Sequence, residues 1–284
     1  MTLIFLLVLV SLHAALAQTG QSGARPGWPC VPGRANDPAY LEISEATGGQ
    51  AFLFQKSEAI HTGVIMNLPS THPDTLFRAV GHLAGSRTFE FPVDASVESI
   101  SVTASIQCRQ AVALIEPGGA EVTAANAVQS IDLQAGKIVR VDGPGVGNWQ
   151  VKVAGQGLFI LSVRAKSAIR LNNVRFVEPG GRPGHEGYFP SKEPPQLGVA
   201  QHLEASLSGP PLSGVSFQMV AASGEPLGGL IESQTCEGGE HLLDITPTVE
   251  RFRIMVAGTD DTGRLVRRMH PKLFRVTAPQ TARP

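Results

Sequence analysis

The sequence predicts a mainly β protein: two antiparallel β-sandwiches preceded by a short helix-strand-helix segment. The first ground is period-two alternation, in which Phe89, Phe91 and Val93 alternate with Thr88 and Glu90, and Ile100, Val102, Ala104 and Ile106 alternate with Ser and Thr. The second is punctuation, because 31 Gly and 21 Pro in 284 residues suit many short strands joined by tight turns. The third is length, which accommodates about two domains of ordinary size, each able to bury its own core.

Taken from the N-terminus, an apolar run from Leu3 to Val10 leads into Ala15-Leu16-Ala17, the small-x-small pattern of a signal-peptidase site. Residues 1–17 are therefore expected to be a signal peptide cleaved after Ala17. The competing reading, a membrane anchor, needs roughly 18–20 apolar residues, more than this run supplies, and no later segment qualifies as a membrane span. The mature chain is expected outside the cytoplasm: secreted and extracellular, or periplasmic in a bacterium. With 23 basic against 24 acidic residues, nothing attracts nucleic acid or an anionic membrane surface, so neither is an expected partner.

Three cysteines, Cys30, Cys108 and Cys236, are too few for a disulfide scaffold and too widely spaced for a zinc or redox Cys-x-x-C motif. One intrachain bridge at most can form, and Cys108 reads equally well as a small buried hydrophobe. None of the six asparagines begins a glycosylation sequon.

Residues 18–36 have the Gly, Pro and small polar composition of a flexible leader. Asp37-Pro38 then supplies an N-cap with Pro at the first helical position, Tyr40, Ile43 and Thr47 follow at helical spacing, and Gly48-Gly49 stops the helix. Ala51-Phe52-Leu53-Phe54 reads as a buried strand, and Ser57 as the cap of a second helix carrying Ile60, Val64 and Leu68. The run from Asp37 through Tyr40, Gly48-Gly49 and Phe52 resembles the end of a von Willebrand factor A domain, which finishes with helix, strand and helix. That family's metal-dependent adhesion site rests on an Asp-x-Ser-x-Ser motif that this chain lacks. Residues 37–74 are thus expected to be a truncated A-domain remnant that packs on the next domain, with no metal carried over.

The first sandwich is expected over residues 75–178, with further strands at Ala111–Ile115, Ile138–Val141, Trp149–Val153, Phe159–Val163 and Ile169–Val177. Turns are expected at Pro117–Gly119, Gly143–Gly147 and Gly155–Gly157. The Gly143–Gly147 run lacks the Lys-Ser/Thr of a phosphate loop and leads into a strand, so it reads as a hairpin turn. A Pro- and Gly-rich stretch, residues 179–196, reads as a linker. Residues 197–279 then alternate again through Leu203, Ala205, Leu207, Val215, Phe217, Met219, Phe252, Ile254 and Val256, as in an immunoglobulin or fibronectin type III sandwich.

Gly147-Asn148-Trp149-Gln150-Val151 and Phe252-Arg253-Ile254-Met255-Val256-Ala257-Gly258 resemble strands in the region that follows the A domain of hemicentins and related von Willebrand factor A domain-containing proteins. The resemblance implies a galactose-binding-like sandwich followed by an immunoglobulin-like domain. That first name describes a fold and gives no warrant for sugar binding.

The chain has no Gly-x-Ser-x-Gly elbow, no Ser-x-x-Lys and no His-Glu-x-x-His. His61, His72, His82, His185, His202, His241 and His270 are scattered singly, and Asp260-Asp261-Thr262-Gly263 reads as a hairpin turn before it reads as a calcium loop. Trp149, in phase with Val151 and Val153, reads as core. No catalytic, cofactor-binding or metal-binding residue is named and no cofactor is expected. The expected function is non-catalytic binding of an extracellular protein. A glycan partner is the alternative, disfavoured by 2 Trp and 2 Tyr against 12 Phe, and a hydrolase is the weakest reading.

Overall fold

The computed structural model describes Cys30, residues 38–53 and residues 56–278. The expected signal peptide, the rest of the leader and Asp37 lie outside the described residues. The chain divides into two compact units, Met1–Ser167 and Ala168–Pro284. Both are built from antiparallel sheets, and among the described residues no helix is long and apolar enough to cross a membrane.

In the first unit, α1 (Pro38–Thr47) starts at the expected proline and stops at Gly48, whose φ of 72° is the left-handed conformation that ends helices. The expected strand at Ala51–Phe54 is not formed over its described residues: Leu53 N donates to Ser105 Oγ and Phe52 lies over Gly136, so the segment lies on a sheet instead of joining one. A Cβ at Gly136 would come within 2.5 Å of the Phe52 ring. Nor does Ser57 cap an α-helix. Lys56–His61 is a 3-10 turn leading into α2 (Thr62–Thr71), with Leu68 buried and Ile60 84% exposed.

Five strands follow: β1 (Asp74–Val93), β2 (Val97–Ile115), β3 (Gln129–Asp132), β4 (Gly136–Asp142) and β5 (Gly147–Ser167). They form one sheet in the order β1-β5-β2-β4-β3. The sequence-predicted runs on either side of Gly155–Gly157 are thus a single strand, and no turn occurs there. What makes this sheet a sandwich is a fold across its long strands. Phe77 and Phe89 are 12 residues apart in β1 and would be separated by about 40 Å in a straight strand. Their rings instead lie 5.5 Å apart, and Phe89 is 5.5 Å from Phe159. The crease runs through Gly85 (φ 112°), Gly155 (φ 156°) and Gly157 (φ 90°), where β2 carries register shifts at Ile106/Cys108 and Arg109/Ala111. Gly85 pairs with Gly155, and Gly155 with Arg109.

The core between the layers holds Phe77, Phe89, Phe91, Val102, Leu114, Val151, Phe159 and Trp149, and Trp149 Nε1 donates to Gly145 O at 2.8 Å. That bond pins the 143–146 connection, which is not the expected hairpin: β4 and β5 are not neighbours but flank β2. Cys30 and Cys108 form a disulfide with Cα atoms 5.7 Å apart, while Cys236 is free and exposed.

The second unit comprises β6 (Arg170–Gly180), β7 (Gly187–Pro190), β8 (Gln201–Ser208), β9 (Ser213–Ala221), β10 (Pro226–Glu232), β11 (Gln234–Thr235), β12 (Glu240–Ile245), β13 (Arg251–Thr259), β14 (Leu265–Met269) and β15 (Phe274–Arg275). One sheet runs β11-β12-β8-β6-β7 and the other β10-β9-β13-β14, with β15 on β13. Residues 170–177, expected to complete the first sandwich, pair instead with β8, because Val174 and Phe176 join Leu203, Leu243, Phe217 and Phe252 in the second core. The expected linker is likewise part of this unit. It holds the turn and second strand of the β6-β7 hairpin, and its Pro195 O accepts from Thr277 N. Buried Arg268 bonds the Ile169 carbonyl through Nε at 2.9 Å, tying β14 to the chain entering β6.

Gly155→Ala should destabilise the first unit by about 3 kcal/mol or more, because its Cβ would meet Cys108 O at 2.3 Å. Gly63→Ala, with open space in α2, should change stability by no more than about 1 kcal/mol. Urea unfolding of both variants checks this, and equal midpoints would refute the crease as a steric constraint.

In the chain-entropy picture, a bridge spanning 78 residues contributes about 4 kcal/mol. Reduction or Cys30→Ser should remove stability of that order from the first unit in urea titrations, whereas Cys236→Ser should leave the midpoint unchanged.

Candidate binding surfaces

The alternation that builds β1, β2, β4 and β5 sends one set of residues into the core and a polar set to the other face. The polar set includes Arg78, Ser99, Ser101, Thr103, Ser105, Ser162 and Arg164, all buried. What buries them is the helical segment before β1. Arg78 donates through Nε and Nη2 to Glu45 Oε1 and through Nη1 to Gly49 O, holding α1 and its C-terminal turn against the sheet. Arg164 donates through Nε to His72 O at 2.7 Å and through Nη2 to Pro73 O at 3.0 Å, fixing the entry into β1. Its pKa is lowered to about 10, chiefly by burial and then by the Arg78 charge. Removing one partner of such a pair strands a buried charge, a loss of about 3–5 kcal/mol. This face is consumed by the segment that covers it.

One contact on this face resembles a catalytic pair, since Ser99 Oγ lies 3.1 Å from His72 Nε2. The other ring nitrogen is engaged by Thr71 Oγ1 at 2.9 Å, not by an orienting carboxylate. Burial, followed by the Arg140 charge, lowers the His72 pKa, and the pair is shut off from solvent. Its geometry suits a structural peg better than a nucleophile and base.

The Asp260 turn joins β13 to β14 as expected. Asp260 Oδ1 accepts from Thr262 N at 2.9 Å, Thr262 Oγ1 at 2.6 Å and Arg264 N at 2.9 Å, and the Thr262 hydroxyl bond leads the causes that lower its pKa. That oxygen is already saturated by its own turn. Among the described residues no three His, Cys, Asp or Glu side chains approach closely enough to hold a metal ion.

Of the scattered histidines, His82 and His185 are exposed, His61 lies at the end of the 3-10 turn, and His241 packs against Phe217 with its Nδ1 on Ser233 Oγ at 3.0 Å. His202 is the one drawn into a solvent-facing cluster: its Nδ1 lies 2.6 Å from Asp244 Oδ1 and its ring is 5.1 Å from Tyr188. Tyr188 and Phe189 on β7 are 42% and 46% exposed, whereas most of the described phenylalanines and Trp149 are buried. The signal was faint, because Gly187-Tyr188-Phe189-Pro190 is embedded in a Pro- and Gly-rich stretch that reads as linker.

With the crease, the two layers and the Trp149 strand in place, the comparison with known families falls on the first unit. Residues 75–168 match the family described as hemicentin galactose-binding domain-like. The match thus begins just inside β1 and ends just past β5, leaving the helical segment and almost all of the second unit outside it. No curated protein matches the chain. A solved structure, the crystal structure of Bacillus licheniformis lipase BlEst2 in propeptide form, is similar at 14% identity and a TM-score of 0.27. The alignment covers 68% of this chain and 43% of that one, and a likeness this low bears on neither fold nor activity.

His270 in the second unit stacks on Phe274 at 5.7 Å, and burial, then Lys272, lowers its pKa from 6.5 to about 4. The unfolded chain takes up a proton near pH 6.5 while the folded one resists until about pH 4, so stability is full above 6.5 and falls as the pH drops through that window. His270→Phe, which keeps a ring on Phe274, should flatten the acid side of the curve. A difference in unfolding free energy between variant and parent that is the same at pH 7 and pH 4.5 would refute this.

Proposed function

We propose that this protein is exported and acts as a non-catalytic extracellular binding or adhesion protein that contacts other proteins through the surfaces and end loops of its sandwiches. The observation that carries this reading is the match of residues 75–168 to the hemicentin galactose-binding domain-like family, placed on a folded β-sandwich. The Cys30–Cys108 bridge supports an oxidising compartment, and with it cleavage after Ala17. In the second unit, β11, β12, β8, β6 and β7 form one sheet and β10, β9, β13 and β14, with β15 on β13, the other, and two antiparallel sheets around one core support an immunoglobulin or fibronectin type III-like sandwich. The helical segment anchored by Glu45 and Arg78 fits an A-domain end kept as a cover for the polar face. Rigid frames with loops at their ends are suited to recognition.

The protein purified from culture medium should begin near Gln18, and when immobilised should retain an extracellular protein identified by mass spectrometry. Melting curves with and without chelator should coincide. An intact Met1 on the exported form would reject processing, and turnover of an extracellular substrate abolished by one point substitution would reject the non-catalytic reading.

A further inference from the structure

Cross-strand register places Asp244, His202, Val177 and Pro190 in one row across β12, β8, β6 and β7, with Leu242, Glu204 and Arg175 in the next. Tyr188 pairs with Pro179 on the same face. The intervening residues Leu243, Leu203 and Phe176 enter the core, so these rows lie on the opposite face of the sheet, where Val177 and Glu204 are buried and Tyr188, Asp244 and Arg175 reach solvent. From this juxtaposition we infer a saccharide-binding platform centred on Tyr188, for a neutral pyranose-containing glycan.

The ring is both exposed and held. Tyr188 is 42% exposed, and His202 stands against it at 5.1 Å with the planes inclined at 73°. His202 is fixed in turn by Asp244, whose side chain is 81% exposed and keeps its second oxygen for a ligand. One face of a pyranose presents weakly positive C–H groups, which suit the negative face of an aromatic ring, while its hydroxyls need donors and acceptors around the rim. The imidazole, the Asp244 carboxylate, the phenol and the Arg175 guanidinium, whose side chain is 42% exposed and is held at 2.7 Å by buried Glu204, supply both kinds.

Charge selects the class of glycan. Two carboxylates stand against one guanidinium and one imidazole, so the patch offers no excess positive charge to a sulfated or sialylated chain. A protein strand added to the β7 edge is a poorer occupant: the strand has four residues and Pro190 has no N–H to donate. These residues lie outside 75–168, so the name of the matching family does not bear on them. The platform goes beyond the protein-binding function proposed above and stands or falls separately from it.

The test is a printed array of neutral, sialylated and sulfated oligosaccharides, probed with the intact chain and followed by titration of the best-retained glycan. At least one neutral glycan should be retained, and Tyr188→Ala and Asp244→Asn should each weaken it about tenfold or more. Tyr40→Ala, in α1 of the other unit, should leave it unchanged. Melting temperatures of the Tyr188 and Asp244 variants within a few degrees of the parent separate lost binding from lost folding. A blank array, a preference for anionic glycans, or affinity that survives both substitutions would overturn the platform, whatever proteins the chain captures.

Discussion

Three strands of 20, 19 and 21 residues run through the first unit, longer than a single sandwich layer needs, and they must therefore fold back on themselves. The constraint on which the unit depends is where they do so. At Gly155 the backbone of β5 passes so close to β2 that a Cβ would come within 2.3 Å of Cys108 O and 2.9 Å of Ile106 Cγ2. Only glycine satisfies both that approach and a positive φ. Once the crease is set, Phe77 and Phe159 meet Phe89 across it, and the connection held by Trp149 carries the chain from one layer to the other. The disulfide joins the crease itself, at Cys108, to Cys30 ahead of the helical segment.

The crease leaves one layer with a buried polar face, and this explains why the helical segment is held by charges more than by grease. Ser99, Ser101, Thr103 and Ser105 alternate with Ile100, Val102, Ala104 and Ile106, so a cover had to satisfy hydroxyls and guanidiniums. Glu45 and the Gly49, His72 and Pro73 carbonyls satisfy the guanidiniums, and the Leu53 amide and the His72 ring meet Ser105 and Ser99. Thr103 turns instead to Ser162 O within the sheet, and Ser101 Oγ is buried without a hydrogen-bond partner. Apolar positions not used in that contact remain outside, which is why Ile60 is exposed despite its helical spacing with Val64 and Leu68.

Period two was readable wherever one face meets a core, so the strands around Phe89–Val93, Ile100–Ile106, Ile138–Val141 and Phe252–Val256 were legible in the sequence. What glycine meant was legible at the helix end and the tight turn but not inside a strand. Local sequence marks the tight turn at Gly119 and the exit from a helix at Gly48, but the bend inside a strand at Gly155 is distinguished from a turn only by neighbours distant in sequence, Ile106 and Cys108. Chain continuity misled in the same way at 170–190, where Pro and Gly mark an edge strand and its hairpin, positions that proline tolerates, instead of a linker. The aromatic cluster was illegible because Tyr188, His202 and Asp244 are separated by strands and meet only through register.

The two units therefore use the same alternation to opposite ends. In the first, the second face of the sheet is sealed by a polar cover, and the Ser99–His72 contact beneath it is spent on packing. In the second, the outer face of β12, β8, β6 and β7 buries Val177 and Glu204 but leaves Tyr188 and Asp244 in solvent, and these are satisfied only in part: His202 takes one oxygen of Asp244, and Tyr188 is left with an exposed ring. An exposed side chain loses rotamer freedom when a ligand immobilises it, a cost of about 0.5–1.5 kcal/mol each. On this face the ring contact and the short His202–Asp244 bond have already restricted two of the three side chains, so less of that cost remains to oppose binding. Preorganisation of this kind distinguishes the Tyr188 cluster from singly exposed residues such as Leu230 or Val128.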